Sequence, residues 1–253
     1  MKTFSDCAKR WWFRYIRNAP VERVSAALLF GGGIHHAIEY WNSARICEQP
    51  APSKDKLFSL FEQYFSTEAQ KGVPIQYAKT ETEAGLMAAA AAMLAVYIEF
   101  EARQPKQRIL GIEEALHWES PALPVPLAGR LDLLVETPDK LVLKDYKTSK
   151  GTFTEDKLQE AAAQLGLYAE ALGALAEDLG KPFAAEVVVL RKLKTPKVEV
   201  VPVPLEAADT QRIMQRLADT WRLIGGAYEQ DAFPPSPSWQ CTSCPYRDGC
   251  AKE

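Results

Sequence analysis

No hydrophobic run in the 253-residue sequence reaches the ~20 apolar residues that a membrane-spanning helix needs. The uncharged apolar stretch from Ala84 to Ile98 is rich in alanine and reads as a buried core helix. No secretory signal is recognisable. A cytoplasmic location without a membrane partner is therefore expected, where cysteines stay reduced and act as ligands rather than disulfides. A basic excess is missing too: the formal charge is −3, which excludes the strongly basic body of a generic nucleic-acid binder, although binding depends on local patches. Internal repeats are absent, and the alanine run is the one low-complexity tract.

What remains is ordinary for a globular chain, with 47% hydrophobic and 25% charged residues, enough for one large domain or one domain with an insertion. Charge is unevenly spread. Among residues 1–23, Lys2, Lys9, Arg10, Arg14, Arg17 and Arg23 outnumber Asp6 and Glu22, and Arg191, Lys192, Lys194 and Lys197 form a second basic run. Each run is either a phosphate contact or a solvated face. Periodicity predicts a helix over 3–16 with Ser5 or Asp6 as N-cap. Gly31-Gly32-Gly33 then punctuates the chain before a helix reaching about Cys47. Helices follow over 54–70 and 81–103. Three strands are predicted over 109–118, 126–136 and 140–147, then a helix over 155–179, a hairpin of 185–190 with 198–203, and a helix over 205–229. The tail from 233 is rich in proline and cysteine. This order suggests an α/β core with a helical insertion at 50–105.

The densest chemistry lies in Gly129-Arg130-Leu131-Asp132 and Lys144-Asp145-Tyr146-Lys147-Thr148. Strand alternation puts Leu141, Leu143, Asp145 and Lys147 on one face. A two- or four-residue turn at Pro138-Asp139 sets Glu136 opposite Leu141 and Asp132 opposite Asp145. Opposed carboxylates, with Cβ atoms roughly 5 Å apart, repel each other. A divalent cation would compensate them, and Lys147 on the same face could steady developing phosphoryl charge. A solvent-facing acidic pair with a structural lysine fits the same spacing, and an odd-length loop would undo the pairing.

Gly-x-x-Asp followed by Asp-x-Lys-Thr resembles the central motifs of the RecB-like branch of the PD-(D/E)XK nuclease superfamily. Two further pieces match in order: Gly31-Gly32-Gly33-Ile34-His35-x-x-Ile38-Glu39 resembles the histidine-bearing helix motif, and Gln164-Leu165-Gly166-Leu167-Tyr168 the Gln-x-x-x-Tyr motif. Helical spacing puts Gln164 and Tyr168 on one face. No proline precedes Asp132, a departure that the branch tolerates, and residues 50–105 match no motif. The resemblance implies a restriction-endonuclease-like core, a mixed central sheet flanked by helices. It implies that His35, Asp132, Asp145 and the Tyr146 carbonyl bind Mg²⁺ or Mn²⁺, with Lys147, Gln164 and Tyr168 in the catalytic set. Glu113 occupies the place of a further acidic ligand and is preferred to Glu114, which points to the opposite face. His36 is displaced by about 100° on the helix and is not expected to be a ligand.

Cys241-x-x-Cys244-Pro245-Tyr246-x-x-x-Cys250 suits a structural zinc or an iron–sulfur cluster. Cys7 and Cys47 are the candidates for a fourth ligand, and Cys47 also reads as a small buried hydrophobe. The AddB and CRISPR-associated RecB-like nucleases have one N-terminal cysteine and a C-terminal trio. That resemblance implies Cys7 and a [4Fe–4S] cluster, with Zn²⁺ as the alternative, packing the tail against the N-terminus within one domain. Trp11, Trp12, Phe13 and Tyr15 are expected mostly in the core, with Arg10 and Arg14 as DNA contacts. The resemblance implies a DNA exonuclease acting on ends or single strands in CRISPR adaptation, phage recombination or repair, with a protein partner in such a complex. Two other classes stay open: a non-catalytic DNA-end-binding module with a structural metal centre, and an electron-transfer protein, which leaves the acidic pair without a task.

Overall fold

The computed structural model describes residues 1–251. The predicted first helix is two, α1 (Lys2–Asp6) and α2 (Ala8–Tyr15), because Cys7 adopts an extended backbone between them. Neither Ser5 nor Asp6 caps α2. The Cys7 Sγ does so, accepting from the Arg10 N–H at 3.4 Å. Two strands unforeseen in the sequence, β1 (Val24–Ser25) and β2 (Ile75–Gln76), pair in parallel.

Ser25 caps α3 (Ala26–Ile46), which contains the three glycines rather than starting after them. α4 (Lys54–Ala69) follows, capped by Ser53, and α5 (Glu83–Ala102), capped by Thr82. A Cβ on Gly33 would lie 2.7 Å from the Phe61 ring, and one on Gly32 would lie 2.3 Å from the Tyr64 hydroxyl. The glycines therefore let α4 approach the face of α3 beside the histidines. By length and composition alone α5 could cross a membrane. Its Leu86, Ala90, Met93, Leu94 and Tyr97 are instead buried in the core shared with α3 and α4. Residues 50–105 thus supply the packing behind the histidine helix.

The main sheet is β3 (Arg108–Trp118), β4 (Leu127–Glu136), β5 (Leu141–Ser149), β6 (Phe183–Arg191) and β7 (Lys197–Val203), in that spatial order. All neighbours are antiparallel except β5 and β6, which are joined by a crossover through α6 (Glu155–Ala171) and α7 (Gly173–Leu179). The expected helix over 155–179 is therefore interrupted at Leu172. α8 (Ala207–Glu229) leads to the tail, a 3₁₀ turn at Trp239–Ser243 and α9 (Arg247–Cys250). The result is an α/β fold whose mixed five-stranded sheet is flanked by helices. On one face Leu133, Val135, Val142 and Tyr146 meet α3 and α5. On the other, Leu141, Leu143, Val187 and Val189 meet α6.

The chain's two ends close on each other. Lys9 N–H donates to the Pro234 carbonyl at 3.2 Å, and Glu22 N–H to that of Pro245 at 2.9 Å. The Glu22 carboxylate accepts from the Asp248 and Gly249 N–H groups at 2.8 Å each. Arg23 pairs with Asp248, and Phe13 stacks on Tyr246 with centroids 5.6 Å apart.

Candidate active site

The β4–β5 hairpin carries the register that its turn dictates: Glu136 faces Leu141, and pairing runs on to Leu133 opposite Lys144. There the ladder ends, one step short of the acidic pair. Alternation breaks at the same place, since Leu131 and Leu133 belong to cores on opposite sides of the sheet although residues two apart on a regular strand share a face. Released from the ladder, Asp132 turns its carboxylate to the Tyr146 backbone and accepts its N–H at 2.7 Å. Asp132 and Asp145 thus do not form the simple cross-strand pair expected.

Glu113 lies at the level of Asp132, between the pairs Ile112–Leu133 and Glu114–Leu131. Its φ is 46°, a left-handed conformation uncommon for any residue but glycine. From α3, His35 completes the group. Its Nε2 lies 2.8 Å from the Tyr146 carbonyl; a carbonyl only accepts, so Nε2 carries the proton. The Nδ1 then faces Glu113 and Asp132, at 3.7 Å from each. The Tyr146 carbonyl, expected as a metal ligand, accepts from the ring in this arrangement. One ligand atom each from His35, Glu113 and Asp132 lies within 4.8 Å of the others.

Asp145 stands beside this trio rather than in it. Its Oδ1 accepts from Lys147 Nζ at 2.7 Å, while Oδ2 is buried with no hydrogen-bond partner. An orphaned buried carboxylate oxygen next to a His–Glu–Asp trio fits a bound divalent cation, which prefers oxygen and imidazole donors. The charges on these side chains depend on one another. Burial pushes the Asp132 carboxyl up to about 6, helped by Asp145 and opposed by His35, the Tyr146 N–H and Lys147. Burial works against charge on His35, yet the carboxylates of Glu113 and Asp132 outweigh it and raise its pKa.

Gln164 and Tyr168 reach the same strand. Gln164 Nε2 donates to the Tyr168 hydroxyl at 3.0 Å, which donates to the Arg130 carbonyl at 2.7 Å. A Cβ on Gly129 would lie 2.5 Å from the Tyr168 ring, so glycine is needed where the helix pair meets β4. Two residues passed over in the sequence also face the cleft. The Arg130 guanidinium is 4.0 Å from Glu113, and Tyr64 lines the wall beside His36. Arg130 was visible as the one charge between Gly129 and Asp132; nothing in the sequence singled out Tyr64. His36 pairs with Glu39 at 3.4 Å and is not part of the trio.

A sequence profile described as the PD-(D/E)XK nuclease superfamily matches residues 1–251. The chain belongs to that superfamily. The order of strands and the mixed sheet are consistent with a PD-(D/E)XK fold. No curated protein matches the chain. Among solved structures, a candidate exonuclease from Eubacterium rectale is 12% identical, over 91% of this chain and 90% of that one, with a TM-score of 0.44. SSO0001 is also 12% identical, over 97% and 94%, with a TM-score of 0.37. The superfamily assignment stands on the profile match and not on these likenesses.

Outside this PD-(D/E)XK centre, the tail brings Cys241, Cys244 and Cys250 towards Cys7. Burial raises the Cys244 and Cys250 thiols, and charge on Cys7 and Cys241 adds to both effects. Among the described residues, no three of these sulfurs lie within 4.8 Å of one another. Cys47 is exposed at the end of α3, not buried as expected. Arg10 is turned inward to Asp6 at 2.8 Å and Gln240 at 3.3 Å, whereas Arg14 is exposed. In the second basic run, Arg191 and Lys197 pair with Glu199, and Lys192 pairs with Glu81.

Proposed function

We propose that this chain is a metal-dependent deoxyribonuclease that hydrolyses phosphodiester bonds at DNA ends or in single strands. The observation that carries this reading is the convergence of His35 Nδ1, Glu113 and Asp132 beside Asp145 and Lys147. His35, Glu113 and Asp132 would hold Mg²⁺ or Mn²⁺, with Asp145 as a further carboxylate. Such an ion polarises a phosphoryl oxygen and lowers the pKa of water. The Tyr146 backbone orients the site by holding His35 through its carbonyl and Asp132 through its N–H. Lys147, 42% exposed at its side chain, is placed to leave Asp145 and neutralise charge on the attacked phosphate. Gln164 and Tyr168 brace the Arg130 backbone.

The second part of the reading is a [4Fe–4S] cluster on Cys7, Cys241, Cys244 and Cys250. The closure of the ends, which brings Cys7 towards the C-terminal cysteines, supports a shared centre. Zinc is the alternative. CRISPR adaptation, phage recombination and repair are the settings in which such an exonuclease would act, with a protein partner.

Cleavage of end-labelled single- and double-stranded DNA with Mn²⁺, Mg²⁺ or EDTA tests the reading, comparing wild type with Lys147→Ala. Metal-dependent cleavage, lost in the variant, is expected. Absence of cleavage by protein loaded with its cluster would instead favour a DNA-end-binding module.

A further inference from the structure

A cavity of about 840 Å³ lies between α6, α8 and the end of β5, with α1 at its edge. Its size falls in the usual range for ligand sites, about 300–1,000 Å³. Phe153, Leu167, Ile213 and Leu217 give it apolar walls, and Lys157 and Arg216 add positive charge. The acids at its border are engaged: Glu160 pairs with Lys2 at 2.8 Å, and Asp219 pairs with Arg222. Lys147 and Thr148 line both this cavity and the cleft of the His–Glu–Asp trio, so the two lie side by side. On the opposite flank the cleft shares Leu28 with a groove bearing Arg10, Arg14, Arg23 and Lys71.

We infer that the cavity between α6 and α8 receives the unpaired bases on one side of the scissile phosphate, making the site selective for single strands. The inference rests on the nuclease reading. A strand whose phosphate sits at the trio must leave the cleft in two directions. The groove combines its basic side chains, of which Arg14 is exposed, with Val21, Val24 and Tyr246, and the charge suits a backbone. The cavity offers apolar walls and an aromatic ring, which suit bases, because every base has a stacking face. A duplex cannot use such walls, since its bases are already stacked inside a sheath of phosphates. Contact through stacking carries little sequence preference.

The test uses the full chain with Ca²⁺ replacing Mg²⁺, and a single-stranded oligonucleotide with 2-aminopurine near one end. Phe153→Ala removes the ring; Thr220→Glu puts a negative charge at the rim and keeps the protein testable if the first variant folds poorly. Each should weaken single-strand affinity by about tenfold, with little change on a blunt duplex, and reduce the fluorescence change of the probe. With Mg²⁺, oligonucleotide cleavage should fall about tenfold relative to hydrolysis of bis(p-nitrophenyl) phosphate, which needs only the metal cleft. Unchanged strand affinity in a folded variant, or equal losses on duplex and single strand, would overturn the inference. Failure of wild type to hydrolyse either diester would strike the nuclease reading instead, and the binding and fluorescence arms would still decide the cavity's occupant.

Discussion

Tyr146 is the residue on which the site's geometry converges. Its N–H holds Asp132, its carbonyl holds His35, and its buried hydroxyl lies 3.4 Å from that of Tyr97 on α5. Asp145, next to it, combines an ion pair with an orphaned oxygen. Asp145→Ala should abolish metal-dependent DNA cleavage while the circular-dichroism spectrum stays native; retained cleavage would move the active centre elsewhere. Gly129→Ala should cost about 1–3 kcal/mol in denaturant unfolding, the usual penalty for forcing atoms into a packed site, and should lower cleavage by displacing Tyr168. Asp132, Asp145 and Lys147 are picked out by the resemblance of their motifs, and the turn fixes the register only as far as Leu133 opposite Lys144. The way Asp132 leaves the ladder is not legible in the sequence, since it depends on a left-handed Glu113 and a Tyr146 N–H that pattern alone does not assign.

Among elements, the loop before α5 carries the clearest charge device. Glu81 receives Lys150 at 2.8 Å and Lys192 at 2.9 Å, tying the approach to α5 to the ends of β5 and β6. Burial works to raise its pKa, but the two lysines prevail and lower it from 4.5 to about 2. A carboxyl whose pKa is depressed by folding stabilises the fold above its unfolded value and loses that contribution as pH falls through its folded one. Glu81→Gln should therefore reduce unfolding free energy at pH 7, and the difference from wild type should shrink between pH 4.5 and 2. An equal deficit across that window would show that the loss is one of packing. The boundaries of α4 and α5 were largely legible in hydrophobic period and proline breaks, whereas the Ser25 cap that starts α3 was passed over. The errors have a physical source. Glycine normally reads as a break, but in α3 it makes room for Phe61 and Tyr64. Cys7 caps α2 with a thiol, a group outside the usual capping set.

For the whole molecule, the closure of the ends brings Cys7 towards the C-terminal cysteines. Cys244→Ala should lower soluble yield and remove bound iron with its visible absorption, whereas Cys47→Ser should leave iron content unchanged. Loss of iron in the second variant would replace Cys7 by Cys47 in the ligand set. The nearness of Cys7 to the tail was not readable from spacing, because a long intervening chain sets no geometry; it came from resemblance, and aromatic stacking and backbone bonds bring the segments together. That closure has a mechanical side. The segment seated against the tail also edges the arginine groove, through Arg10 and Arg14, and the apolar cavity, through Met1 and Lys2. Loosening the closure at the termini would slacken both flanks of the cleft while leaving the trio on α3, β3 and β4 untouched. Damage there would register first as a poorer grip on the polymer, and only later as slower chemistry on a small diester.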